Sequence, residues 1–407
     1  MNAIEKDPMT DSSFRCAAAL STAAETTAAV DEVCRPITDR LAGPADLVIA
    51  FFSPHHAAHA QQIATALQTK LQPSHLLGVT GEAIVGGSRE VEGEPALSVW
   101  AARLPGVDVM PFHLTFERAE GGTFVGWPDA LDSAWPTDSA LLLVADPFTF
   151  PADVLLERLG EDQPGLPVLG GMASGGAQPG ENRLLLGQQV HRAGAVAVLL
   201  SGGIRVRSVV SQGCRPIGKP LVITKAQQNV ILELGGKTAL AQLRELFDSL
   251  PADQQRLVQQ GLHVGRVINE YQAGFARGDF LIRNVMGFDP DAGAIAIGDF
   301  ARVGQTVQFH VRDAQTADED LRQLLAAASA GNRPPAGALL FTCNGRGTRL
   351  FPEPDHDART IRDCLGDIPL AGFFAQGEIG PIGGQNFLHG FTAAIALIES
   401  REPASGS

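Results

Sequence analysis

Thr342-Cys343-Asn344-Gly345-Arg346-Gly347 stands at the end of an apolar run, AGALLFTC, that begins at Ala336. A thiol at a strand end is a nucleophile only if a neighbour lowers its pKa or takes its proton. Arg346 suits the first role and His356 or His389 the second, on a small amide or thioester substrate. A buried, inert thiol is the alternative. Gly345 and Gly347 allow an exposed turn with Arg346 at its apex. Glu378 occupies a second glycine-dense loop, in PLAGFFAQGEIGPIGGQNFLHG from Pro369. Gly377 and Gly380 beside it supply backbone freedom that serves either a bound ligand or a tight turn. If the two loops share a cleft, Arg346 and Glu378 suit a zwitterion. The guanidinium grips a carboxylate bidentately and Glu378 holds the ammonium. A structural salt bridge between the loops is the other reading. Asn386 and His389, where the second loop returns to a strand, complete a pocket or cap the turn.

Two further sets of residues could carry chemistry. His55, His56 and His59 open a helix at spacings a metal ion could use, but no carboxylate or fourth-ligand pattern accompanies them. They are polar residues at a helix start, or His55 and His56 line a ligand cleft at strand C-terminal ends. Glu82, in LLGVTGEAIVGG, is the loop carboxylate at the corresponding place near residue 80. Gly236-Lys237-Thr238 is not a phosphate loop, because the glycine that motif needs is Ile231, and no GxGxxG occurs. No metal or cofactor is expected.

The elements that position these residues recur. Residues 76–100, 167–200 and 369–397 each give an apolar strand, a glycine-rich loop and a second apolar strand. One helix-length upstream of each lies a further strand candidate: DLVIAFF from Asp46, SALLLVA from Ser139 and AGALLFTC from Ala336. Three irregularly spaced copies are too few for a solenoid. The spacing predicts an α/β fold of two domains, built from repeated strand-helix-strand-(Gly loop)-strand units with mixed sheets. Before the first copy, Phe14–Leu20 reads as a strand. A helix then opens at Thr22, where Thr22 and Glu25 form a capping box, and Pro36 kinks or shortens it. Ser53 caps the next helix, with Pro54 as its first residue. Near residues 235–250 a strand, a Gly-Gly turn and an amphipathic helix form a domain hinge. Asp279–Val285 and Ala294–Phe300 form a hairpin, Thr306–Val311 a strand and Asp318–Ala330 a helix. The units are a disordered tail (1–12), an N-terminal domain (13–235), a C-terminal domain (236–400) and a polar tail (401–407).

The 407 residues, 44% hydrophobic and 19% charged, describe a globular chain with ample core. A net charge of −14 argues against nucleic acid and anionic membrane as partners. The Arg205, Arg207, Arg215 and Lys219 cluster reads as a solvated strand face and loop. No apolar run approaches the roughly 18 residues of a membrane span, and the N-terminus has no signal-peptide pattern. Five cysteines without a CxxC pair suit reduced thiols and a cytoplasmic location.

GFFAQGEIGPIGGQNFLHGFTA (Gly372–Ala393) and FTCNGRG (Phe341–Gly347) resemble the C-terminal domain signature of the FIST family. FFSPHHAAH, LLGVTGEAIVGG and VLGGMASGG, from Phe51, Leu76 and Val168, resemble its N-terminal domain, and the similarity spans about residues 14–400. The resemblance implies a sensory, small-ligand-binding module of intracellular signal transduction, with amino acids among the proposed ligands. By position it carries over Cys343, Gly345, Arg346, Gly347, Gly377, Glu378, Ile379, Gly380 and Pro381. Family members are often fused to an effector or an F-box. Too few residues lie outside the match for one here, so a separate signalling partner protein is expected. The leading reading is a non-enzymatic sensor for a small molecule; a Cys343-dependent enzyme and a protein-interaction scaffold are the alternatives.

Overall fold

The structure is a computed structural model and describes residues 13–118, 121–272, 274–275, 278–331 and 333–401. The tail expected at 1–12, and the polar tail beyond residue 401, lie outside them.

Three copies of one unit make up most of the fold. The first comprises β1 (Arg15–Ser21), α1 (Thr26–Leu41), β2 (Leu47–Phe52), α2 (Ala60–Leu71), β3 (His75–Thr80), the hairpin β4 (Ala83–Gly86) and β5 (Arg89–Glu92), and β6 (Leu97–Arg103). The second comprises β7 (Val107–Glu117), β8 (Thr123–Val125), α3 (Ala130–Ser133), β9 (Ala140–Ala145), α4 (Ala152–Asp162), β10 (Val168–Met172), the hairpin β11 (Leu184–Leu186) and β12 (Gln189–His191), and β13 (Ala195–Gly202). The third opens with β14 (Ile204–Ser211). A large insertion follows: β15 (Cys214–Gln227), β16 (Val230–Leu234), β17 (Lys237–Thr238), α5 (Ala239–Ser249), α6 (Ala252–Gln260), β18 (Leu262–Val267), β19 (Phe280–Asp289), β20 (Ala294–Ile297) and β21 (Thr306–Arg312). The copy then resumes with α7 (Ala314–Ser329), β22 (Gly337–Cys343), α8 (His356–Leu365), β23 (Leu370–Ala375), the hairpin β24 (Glu378–Ile382) and β25 (Gln385–His389), and β26 (Ala393–Ser400).

Each copy builds one mixed sheet but not its last two strands. The orders are β1-β6-β2-β3-β11-β12, then β8-β7-β13-β9-β10-β24-β25, then β14-β26-β22-β23-β4-β5. The first copy lends its hairpin to the third sheet, the second to the first, and the third to the second. The fold is therefore α/β with mixed sheets, and two of the three sheets draw strands from both sides of residue 236.

The three sheets share one core. Leu47, Ile49 and Phe51 of β2, Leu142 and Val144 of β9, and Leu339 and Phe341 of β22 all point into it. The alternate residues face outward: Val48, Ala50 and Phe52 meet α1 and α2, Leu141 and Leu143 meet α4, and Ala338 and Leu340 meet α7 and α8. This is a three-sided prism with helices outside, and burial on both faces explains the unbroken apolar runs of its central strands. In the parallel pairs at the centre of each sheet, Gly78, Gly170 and Gly372 sit beside Ala50, Leu143 and Leu340. A Cβ on them would lie 2.9, 1.7 and 1.9 Å from the partner carbonyl oxygens, so these glycines permit close strand approach.

The insertion closes into an antiparallel barrel, β15-β21-β18-β19-β20-β16, because β15 pairs at its other end with β16. The register of β15 breaks between Ile217 and Leu221, which lets one strand serve both partners. The expected hinge near 235–250 lies inside this barrel. The hairpin at 280–297 and the strand at 306–312 are as expected.

Three local expectations are corrected. Helix α1 starts at Thr26, and Glu25 itself caps it, accepting from the Thr27 and Ala28 N–H groups at 3.0 and 2.7 Å. Pro36 lies within that helix without ending it, because Val33, Ile37 and Leu41 on either side are buried in the same face. Ser53 caps no helix with its side chain; a 3-10 turn (Pro54–His59) precedes α2, and Ser53 Oγ accepts from the Ala96 N–H at 2.9 Å.

Candidate functional site

Arg346 follows β22 by three residues, and the turn folds it inward. It is 0% exposed, not at an open apex. Its Nε and Nη2 donate to the two carboxylate oxygens of Asp357 at the start of α8, both at 2.7 Å. Thr342 Oγ1 and His356 Nδ1 also bond that carboxylate, at 2.7 and 2.9 Å. The guanidinium lies over the Phe351 ring, which stacks on His356. Burial alone would raise the Asp357 carboxyl, but the charge and hydrogen bonds of Arg346, together with those of His356, outweigh it and hold it well below the usual carboxylate range. Arg346 is thus spoken for by its own fold. The expected grip of Arg346 on a ligand carboxylate is corrected by this pairing, because both arms of the fork are taken.

Cys343 and Glu378 lie behind the same turn. Glu378 is fully buried; its Oε2 accepts from the Thr392 N–H at 3.0 Å and its Oε1 has no partner. Burial pushes its carboxyl up to about 8, so it is largely neutral near pH 7 and is not an exposed anion for an ammonium group. The Cys343 thiol accepts from the Gly345 N–H at 3.4 Å, and burial together with Glu378 pushes it up to about 12. That is the opposite of an activated nucleophile. Neither proposed base serves it: His356 sits between Asp357 and Asp318, and His389 donates from Nε2 to the Gly380 carbonyl at 2.9 Å. His389 does stand opposite Glu378 in the β24–β25 register. Glu90, on β5, forms a second buried carboxyl; it accepts from the Ala358 N–H at 2.9 Å and is pushed up to about 8 by burial and by the Asp357 charge.

The first copy's hairpin reaches this turn. Glu82 pairs with Arg349, Glu92 accepts from the Thr348 N–H and hydroxyl at 2.9 and 2.8 Å, and Arg349 also donates to the Asn344 carbonyl. Of the residues singled out in sequence, Cys343, Asn344, Gly345, Arg346, Gly377, Glu378, His389 and Glu82 therefore gather at one end of the prism. Three do not. Asn386 ties the Val168 N–H and the Leu166 carbonyl at 2.9 and 2.7 Å. His55 is exposed beside Ser53, and His56 is buried against the Thr26 hydroxyl at 2.9 Å. Gly380 makes room for Val210, whose Cγ2 would lie 2.7 Å from a Cβ there.

An open cleft of about 790 Å³ lies where the barrel meets the 344–350 turn. His263 and Arg312 come from adjacent strands β18 and β21, and Met286 and Phe288 from β19; Leu350 and Phe391 face them from the prism side. Arg312 donates to the Gly345 carbonyl and stacks over Phe391 at 4.6 Å, while its Nε has no partner. His263 meets the same ring edge-on at 4.5 Å, and its Nδ1 is also unpartnered. Phe391 is held at a φ of 63°, a left-handed backbone uncommon for an aromatic residue. Sequence reading missed Arg312, His263 and Phe391. They are remote from the 343–346 motif in sequence, and nothing in strand alternation marks them. Among the described residues no cluster of side chains could hold a metal ion.

The FIST N domain matches residues 46–237 and the FIST C domain residues 239–381. Uncharacterized protein Rv0628c of Mycobacterium tuberculosis is 46% identical over 391 residues, covering 94% of this chain and 99% of its own length. Uncharacterized protein Mb0898c of Mycobacterium bovis is 46% identical over 367 residues, covering 88% of this chain and 92% of its own.

Proposed function

The chain belongs to the FIST family, whose domains are sensory domains of signal transduction, and we propose that it senses a small molecule bound between barrel and prism. The observation that carries this reading is the cleft itself: an open cavity of about 790 Å³ whose inner end is the motif-bearing turn. Pockets favour such junctions between folded units. Amino acids are among the candidate ligands, with Arg312 in place of Arg346 as the reader of a carboxylate.

The turn also offers a route for the signal. Arg312 holds the Gly345 carbonyl, and the same turn carries Thr348 and Arg349, which bind Glu92 and Glu82 of the first copy's hairpin. A ligand that draws on Arg312 alters the restraint on that turn and, through it, on a hairpin belonging to the third sheet. A separate partner protein reads the change. Phe300 and Val303, largely exposed on the barrel, offer it apolar contact.

A thermal-shift screen of amino acids, small acids, amines and nucleotides tests the reading, using wild type and Phe288→Glu. Ligand at about 100 times its Kd adds roughly 2.7 kcal/mol, a shift of a few degrees for a chain of this size. One chemical class should shift the wild type and lose its effect in the variant. No shift with any class, or equal shifts in both proteins, overturns the proposal.

A further inference from the structure

The charges around the cleft narrow what it can hold. Arg312 is partly buried and makes no ion pair among the described residues, in a chain with a net charge of −14. Buried or half-buried guanidinium groups are rarely left without a counter-charge. The acid closest in chemistry, Glu378 behind the turn, is kept toward its neutral form by burial. Beside Arg312, His263 is 6% exposed with a free Nδ1, and burial pulls its ring down to about 4, so it is neutral at pH 7. The polar end of the cleft therefore offers one uncompensated positive charge, which matches a monoanion better than a phosphate dianion.

Cations have no equivalent place. Asp313 is the one acid lining the cleft; its carboxylate caps α7 through the Thr316 N–H at 2.7 Å and pairs with Arg215 at 3.1 Å. Arg349, the other lining cation, is held by Glu82. The remaining wall is uncharged and open: Gln259, Gln260 and Asn284 contribute neutral polar groups, and among its apolar side chains Met286 is 67% exposed and Phe288 52%, across from Leu350 and Phe391. Side chains of this kind left in water around a concave surface mark a binding site.

Resting on the sensor reading above, we propose that the cleft recognises a monocarboxylate with an apolar body and no ammonium group. The carboxylate sits at Arg312 and His263, and the body lies along Met286, Phe288 and Phe391.

Four compounds sharing one carbon skeleton test this by titration calorimetry: 3-phenylpropanoate, phenylalanine, 3-phenylpropylamine and 3-phenylpropanamide. The carboxylate should bind, and adding the ammonium or removing the charge should weaken binding by about tenfold or more. Arg312→Gln should weaken the carboxylate at least about tenfold. Phe288→Glu, at an exposed position where folding is not at stake, should do the same, and it decides the matter if Arg312→Gln does not fold. Phenylalanine, the amine or the amide binding as tightly as the carboxylate overturns the proposal, as does carboxylate binding that neither variant weakens. Silence from all four compounds, with another class bound in the cleft by the screen above, overturns the ligand class and leaves the sensor standing. Silence from the whole screen overturns both.

Discussion

Arg346 and Glu378 stand out in the sequence as lone charges in glycine-rich loops, and both lie at the same end of the prism. Their roles were not legible, because the partner that claims Arg346 arrives on α8, and no spacing rule links a turn to the carboxylate of the next helix. Asp357→Asn leaves a fully buried guanidinium without its counter-charge, which should lower stability by about 3–5 kcal/mol in urea unfolding; a loss under about 1 kcal/mol would contradict the assignment. The buried carboxyls also shape the pH response. Glu90 and Glu378 are pushed up from 4.5 to about 8, so the folded state keeps protons that the unfolded chain releases. Their stabilisation is full below about 4.5 and is lost as pH rises through about 8. His263, His310 and His389 are pulled down from 6.5 to about 4 by burial, so their stabilisation is full above 6.5 and lost as pH falls to about 4. Between 6.5 and 8 only the carboxyls act, and the melting temperature should fall across that range. The fall should flatten in Glu90→Gln/Glu378→Gln; an unchanged slope would place its origin elsewhere.

At the scale of elements, the threefold repetition was visible in sequence because central strands buried on both faces must be continuously apolar. The glycines before each loop were visible too, although their purpose is close approach of strands and not ligand contact. Gly170→Ala and Gly372→Ala would drive a Cβ to within 1.7 and 1.9 Å of backbone oxygens that cannot move aside, and should yield little folded protein. Gly78→Ala, at 2.9 Å from its carbonyl, should fold with a loss of about 1–3 kcal/mol. Equal behaviour of the three variants in expression and thermal melts would contradict this ranking. The exchange of hairpins could not be read from the chain. A hairpin pairs as readily with its own sheet as with a neighbour's, and only the closing of three sheets on one core decides.

The whole molecule joins a three-sided prism to a barrel inserted within its third copy. The strand alternation at 306–312 and the 280–297 hairpin announced β-structure, but barrel closure depends on the break in β15 at Gly218-Lys219-Pro220. There a glycine at a φ of 65° and a proline mark an interruption without naming the strands that pair on either side of it. Hairpin exchange has a consequence for the halves of the chain. Residues 13–235 alone lack the strands that complete the second sheet, and residues 236–401 lack those of β4, β5 and β14. Each fragment should be insoluble or molten by circular dichroism and recover native melting only when the two are co-expressed; independent cooperative folding of either would contradict the topology. No helix among the described residues is long and apolar enough to cross a membrane. The central claim concerns where a small molecule binds, and hydrogen exchange over the full chain tests it most directly, with and without the compound that stabilises the protein most. Protection should concentrate in β18, β21 and the 343–350 turn, then extend to the β4–β5 hairpin. Protection confined to other surfaces, or none with any compound, would contradict the account.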